Sequence, residues 1–516
     1  MVFFNSFFLT PNYDDGQGAY WISNTIDFEN PFFSDYFKTK FVVEKIPTLI
    51  MALGFTYLFP FSFVFPAALY GILCLLCSYL SYKVARFYSD SKTALLCSQL
   101  FLYSLLTHNW ICPTRSELWL LSVIMAMIYL FELYHKDNQI KYLILISLFV
   151  GILGLPLHSN ALILYVYLIG HIVIYRNLFS LKSRIVYASA LAITSIIGIV
   201  IVLFPDPVES IAFFKNMSME SGNRFIPNII NPSRFLFIIT LPYYKYLIVF
   251  FTLLSGVWLI ENRKEFYQSI PHIINGYKNV IIYFIAAVLS IEILPAGKWT
   301  VYFVYYYFPF FLVISKIFFF KISGKGQIVI LISLIILLMR FTIVHISLSD
   351  ILDHSSIIKL FIFYIPIILL IIFYKKIRLI LLYGVLYLGL TLNIFYQYHN
   401  WLVYHEVRTI YERNPDVPII SIAEFNWINR SNTNYGFAPY KRNLENSDLS
   451  SGLLIFGETH ASRAFPVASF REFCIDCNFE NIEDISSSWS PFVDSKFRRL
   501  KVYKYSGFEV DKSPFN

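Results

Sequence analysis

The amino-acid sequence predicts an all-α polytopic membrane protein of about twelve spans, followed by a small α+β domain at the C-terminus. Three observations predict it. Apolar residues make up 57% of the 516-residue chain and charged residues only 14%, where a soluble domain is about half apolar and about a quarter charged. Mean hydropathy is +0.60. Charge-free stretches such as "IVYASALAITSIIGIVIVLF" (185–204) and "IVILISLIILLM" (328–339) recur along the chain, each part of a run near the ~20 residues a helix needs to cross the hydrocarbon layer.

Taken in order, the spans fall near 62–85, 92–107, 116–134, 141–157, 159–176, 184–204, 236–260, 279–294, 299–320, 326–348, 357–374 and 377–397. Residues 1–61 precede them. Within that segment 41–60 reads as interfacial, because Glu44, Lys45, Pro47 and Pro60 interrupt its apolar run. The transmembrane domain therefore occupies 62–397. From 398 to 516 the composition shifts toward Asn, Ser, Arg and Asp, and the apolar runs shorten to strand length, as in "GLLIFG" (452–457) and "LKVYKY" (500–505).

Lys and Arg in the short loops set the orientation. Lys83, Arg86 and Lys92, then Lys136 and Lys141, then Arg176, Lys182 and Arg184 mark alternate loops. The same side continues through Arg263, Lys264 and Lys278, then Lys316, Lys321 and Lys325, then Lys375, Lys376 and Arg378. That side is cytoplasmic by the positive-inside rule. The net charge of +8 is accordingly a topology signal, and no nucleic-acid partner is expected. The opposite, extracytoplasmic face collects residues 1–61, the loop "HNWICPTRSE" (108–117), the turn "GLPLHSN" (154–160), the long loop 205–235, the turn "LPAGKW" (294–299) and the C-terminal domain.

Chemistry-bearing residues gather on that outer face. "TPNYDDGQGAYW" (10–21) carries the adjacent carboxylates Asp14 and Asp15. They form either an ordinary turn or a general-base pair, since neighbouring carboxylates shift each other's pKa. "PTRSELW" places Arg115 and Glu117 at the outer mouth of a span, where charges are costly unless paired or functional; a snorkelling Arg is the plain alternative. His158 sits in a sharp outer turn, as a structural hydrogen-bonder or as a site residue. Lys298, ahead of "TVYFVYYYFP", is placed either to hold a lipid phosphate or as one more interfacial cation. Arg224 and Arg234, in and after the long outer loop, are further cations of this kind. Cys474 and Cys477 in "FCIDCNF" read as a local disulfide in the oxidising compartment, ahead of a redox or metal pair, because no second pair completes a zinc site.

In this order the features resemble the GT-C superfamily, the polytopic glycosyltransferases that use polyprenyl-phosphate sugars. Protein O-mannosyltransferases and the lipid A aminoarabinose transferase belong to it. The resemblance runs over residues 10–310 in layout, on short motifs. It implies a GT-C-like fold and sugar transfer from a polyprenyl-phosphate donor to a lipid, glycan or protein acceptor. It assigns Asp14 as the acidic residue of the first outer loop and catalytic base, with Asp15 as its acidic neighbour. Arg115 and Glu117 match the R-x-E/D position for donor phosphate or acceptor positioning. His158 matches a His-containing outer turn, and Lys298 a donor-phosphate ligand. No metal cofactor is predicted, although metal need varies across the superfamily. A bacterial inner membrane is expected, with site and C-terminal domain on the periplasmic face.

One departure stands beside the resemblance. Family members place a span before the acidic loop, whereas "MVFFNSFFLT" is too short to cross, so a leading helix is expected upstream of this start. Two other classes remain open. A lipid-linked oligosaccharide polymerase or ligase would concentrate basic residues in a long outer loop, and 205–235 is mixed in charge. A lipid-linked-sugar flippase or transporter would bury charges in mid-span or show an internal repeat; Arg340 and His345, near an outer span end, come nearest to that pattern.

Overall fold

In the computed structural model of the chain, the described residues are 46–47, 50, 64–107, 116–157, 161–204, 207–208, 210–212, 256–257, 259–264, 276–293, 304–318, 378–421, 434–436, 451–457, 478–485 and 500–506. The expected spans near 236–260, 326–348 and 357–374 lie almost wholly outside them. The helices are α1 (Val64–Tyr88), α2 (Ser91–Thr107), α3 (Glu117–Asp137), α4 (Ile140–Leu148), α5 (Leu162–Ile174), α6 (Leu181–Leu203), α7 (Lys278–Val288), α8 (Tyr307–Phe318) and α9 (Arg378–Arg413). Helix α4 continues through a π turn (Phe149–Gly154) into Leu155–Leu157, and α7 continues into a second π turn (Leu289–Ile293). Among the described residues, Phe65–Tyr88, Glu117–Asp137, Ile140–Leu157 and Leu181–Leu203 are long and apolar enough to cross a membrane.

Each helix end has a local cause. Asp90 accepts the Thr93 backbone N–H at 2.8 Å and starts α2 as an N-cap. That hydrogen bond, and the Thr93 hydroxyl beside it, hold the Asp90 carboxyl below its ordinary range. Asn138 closes α3 in the left-handed conformation, φ 50°, its N–H returning to Tyr134 O at 2.7 Å, the residue type that tolerates this cap after Gly. Ser180 caps α6, accepting from Ser183 N.

Within the bundle, small and weakly polar residues let helices approach closely. Ser78 and Ser98 pair at 2.9 Å between α1 and α2, and Cys77 Sγ meets Ser122 Oγ at 3.1 Å between α1 and α3. Helix α6 lies on α4 and its π turn, with Thr194 Oγ1 donating to Ser147 O at 2.7 Å. Helix α5 packs on α7, and α8 on α2. One apolar core runs through these helices, centred on buried aromatics such as Phe101, Phe131, Tyr167, Tyr283 and Phe308. Outward faces are equally apolar: Ile193, Ile196 and Val200 of α6 stand exposed, as a lipid-facing surface requires. Cys74, Cys77 and Cys97 are buried free thiols; Cys474 and Cys477 lie outside the described residues.

Helix α9 is 36 residues long, about 54 Å at 1.5 Å per residue, well beyond a hydrocarbon thickness of about 30 Å. It passes without a break through position 397, where the sequence expected the transmembrane domain to stop. Leu390 joins the bundle core, while Val403, Val407, Ile410 and Tyr411 form a second core with Ile419, Leu453, Ile455 and Val502 of a sheet. The sheet contains β1 (Ile419–Ser421), β2 (Asn434–Gly436), β3 (Ser451–Gly457), β4 (Asn478–Ile485) and β5 (Leu500–Ser506), ordered β2-β1-β3-β5-β4. β1 is parallel to β2 and β3, and β5 is antiparallel to β3 and β4. On the edge strand β4, Glu480 and Asp484 stand opposite Lys504 and Lys501, and the register shifts between Asn481 and Glu483; charge and a bulge both discourage edge-to-edge pairing.

Candidate active site

Of the residues singled out in the sequence, Glu117 lies among the described ones. Asp14, Asp15, Arg115, His158, Arg224 and Lys298 lie outside them, as do Arg234, Arg340 and His345. The structure nevertheless describes the helix ends from which several of these loops leave, and those ends define the candidate site.

Glu117 is the first residue of α3 and is wholly buried, 0% exposed, as is Ser116 before it. The start of a helix carries unsatisfied N–H groups and the positive end of the helix dipole, which favour a carboxylate there. In the chain, residues 108–115 separate this start from the end of α2. That end is tied to α1 by Tyr70, whose hydroxyl donates to Leu105 O at 2.5 Å. A buried acid thus stands two residues after Arg115 in the chain.

Two further loops leave from rewound helix ends. The π turn of α4 leads through Leu155–Leu157 to His158, and the π turn of α7 leads toward Lys298. Both π turns pack against α5, so the two exits flank one helix. π turns insert an extra residue per turn and occur preferentially at functional sites. Tyr283 of α7 donates its hydroxyl to Tyr305 O at 2.5 Å, tying α7 to the first described residues after Lys298 in the chain. Both tyrosines are fully buried.

A second polar region, at the other ends of the helices, was not singled out in the sequence. Glu132 of α3 accepts hydrogen bonds from the Tyr88 hydroxyl and from Asn279 Nδ2, joining α1, α3 and α7. Tyr277 stacks on Tyr88 with ring centroids 5.1 Å apart and donates to Tyr88 O at 3.1 Å, and Lys316 Nζ lies 4.4 Å from the Tyr277 ring centroid. Nearby, His135 Nε2 and His171 Nε2 are 2.9 Å apart, and His171 stacks on Phe131 at 3.6 Å. The sequence did hold a signal: Glu132 and His135 are three apart, hence on one helix face, at the end of an otherwise charge-free span. Among the described residues no group of three or more His, Cys, Asp or Glu side chains is placed to hold a metal ion.

The described helices and sheet define a polytopic membrane protein with an appended α+β domain. No family model matches the sequence, and no curated protein matches it. The structure is similar to the crystal structure of apo ArnT from Cupriavidus metallidurans, with a TM-score of 0.54 over 98% of this chain and 95% of that one, at 13% sequence identity. ArnT is the lipid A aminoarabinose transferase, a GT-C enzyme. At this identity the likeness is one of fold.

Proposed function

We propose that the protein is an integral-membrane glycosyltransferase that moves a sugar from a polyprenyl-phosphate donor to an acceptor on the extracytoplasmic face. The observation that carries this reading is the likeness to a GT-C enzyme along nearly the whole chain, with Glu117 buried at a helix start two residues after Arg115 in the chain. In this reading the acceptor hydroxyl loses its proton to Asp14, with Asp15 adjusting the base, and its oxygen attacks the anomeric carbon. The bond from that carbon to the phosphate oxygen breaks, and polyprenyl phosphate leaves. Arg115 and Lys298 stabilise the charge that develops on the leaving phosphate. Glu117 orients Arg115, while His158 and Arg224 line the approach of donor or acceptor. The chemistry runs without a bound metal, so transfer persists in EDTA.

The test is sugar transfer from a panel of polyprenyl-phosphate sugars to lipid, glycan and protein acceptors, with Asp14→Asn and Asp15→Asn run beside the parent. Transfer abolished in one variant, with donor binding intact, supports the reading and identifies the base. Full transfer in both variants removes the acidic pair from the mechanism. Movement of the lipid-linked sugar across the bilayer with no transfer would replace the enzyme by a flippase.

A further inference from the structure

The ends of α3, α5 and α6 are clamped together by aromatic rings. Tyr134 stacks on Phe179 at 5.4 Å, Phe179 on Tyr187 at 6.3 Å, and His135 meets Tyr175 at 4.3 Å. Arg184 tightens the same corner from α6, donating to Phe179 O at 3.1 Å and to Arg176 O. The side chains beside these rings in sequence are cations. Lys136 follows His135, Arg176 follows Tyr175, and Lys182 is the second residue of α6, three after Phe179. All three are exposed. Among the described residues none of the three has an ion-pair partner. The nearby acids are already engaged: Asp137 accepts from the Tyr142 hydroxyl at 3.2 Å, and Glu132 accepts from Tyr88 and Asn279.

We propose that Lys136, Arg176 and Lys182 form a binding site for the headgroup of an anionic phospholipid. The choice of a lipid over a soluble polyanion rests on what adjoins the cations. Leu181, next to Lys182, is 73% exposed, and Val173 and Ile174, just before Arg176, are 63% and 51% exposed. A phosphate recognised by the three cations would have its acyl chains beside this apolar collar, whereas a nucleic acid or acidic peptide has no apolar part to place there. Ring stacking keeps the three helix ends together before any lipid arrives, so little ordering is required on binding. The site is independent of the sugar-transfer reading.

Native mass spectrometry and thermal melting of the full-length protein test it, in zwitterionic phosphatidylcholine with phosphatidylglycerol added. The parent retains phosphatidylglycerol in preference to phosphatidylcholine and melts higher with it. Retention weakens about fivefold for each of Lys136→Gln, Arg176→Gln and Lys182→Gln, as expected for about 1 kcal/mol per basic residue near an anionic surface. A control triple on the sheet domain, Arg413→Gln with Lys501→Gln and Lys504→Gln, removes equal charge and leaves retention unchanged. Equal retention of the two lipids by the parent, or a patch triple (Lys136→Gln with Arg176→Gln and Lys182→Gln) that behaves like the control, overturns the proposal. So does a preference for heparin or inorganic phosphate with no lipid preference. Should the patch triple fail to fold, Lys136→Arg with Lys182→Arg keeps the charge and must keep the preference.

Discussion

Gly198 of α6 lies directly against Gly151 in the π turn that continues α4: a Cβ built on Gly198 would overlap the Gly151 carbonyl oxygen, and one built on Gly151 would overlap Thr194. The two pairs Ser147/Gly151 and Thr194/Gly198 are each four apart, so each helix offers a strip of small residues to the other. Close backbone approach of this kind is how helices associate in lipid, where apolar side chains gain little by meeting one another. The Thr194–Ser147 hydrogen bond crosses the same strip.

Gly198→Leu should therefore separate α6 from α4 and destabilise the protein by about 3 kcal/mol or more, at the upper end of overpacking costs. Gly256→Leu, where a Cβ meets nothing within 4 Å, should cost far less. Thermal melting in detergent with matched expression levels checks both, and equal melting of the two variants would contradict the packing argument.

Glu132 holds two donors, Tyr88 and Asn279, on one carboxylate oxygen. Glu132→Gln keeps an acceptor and should melt close to the parent. Glu132→Leu strands both donors in the bundle, at about 1–3 kcal/mol for each unsatisfied group, and should lower stability by about 2–6 kcal/mol in total. The ratio of unfolding free energies of the two variants in a mixed-micelle denaturation series measures this.

Asp90 contributes through its charge. Its carboxyl is held below the ordinary range by the Thr93 N–H and hydroxyl, so its contribution is complete above the unfolded pKa of about 4. That contribution is lost as pH falls through the lower folded value. Asp90→Ala should cost about 1 kcal/mol at neutral pH, as for a lost N-cap, and parent and variant should converge in stability at the acid end. Melting curves from pH 7 downward read the difference.

Tyr283 tests the outer site from a distance. Tyr283→Phe removes the hydrogen bond to Tyr305 O, seven residues after Lys298 in the chain, at a net cost of about 1 kcal/mol, leaving the buried ring in place. If Lys298 acts on the donor phosphate, KM for the donor should rise several-fold, with melting nearly unchanged. An unchanged KM would detach the Lys298 loop from donor binding.

Most helix positions and the two longest apolar strands of the tail were legible from the sequence. The apolar run at 184–204 became α6 (Leu181–Leu203), "GLLIFG" lies in β3, and "LKVYKY" lies in β5. Period and run length suffice there, because a chain in lipid must satisfy its backbone within each helix. The end of α9 was not legible. The drop in hydropathy near 397 marks where the helix leaves an apolar environment, and its hydrogen bonding continues to Arg413 because Val403, Val407, Ile410 and Tyr411 find a sheet to cover. Of the candidate site, the sequence named Glu117 as a polar residue at a span mouth without indicating its complete burial.

By itself, then, the sequence determined which segments are apolar enough to span and which of their ends carry positive charge, since these follow from side-chain transfer energies and charges read locally. Only the tertiary structure decided that Gly151 faces Gly198, that Glu132 meets Tyr88 and Asn279, and that His135 meets His171. Each of these pairs joins residues on different helices, and which face of one helix meets which face of another is set by packing across the whole bundle, which no local pattern encodes.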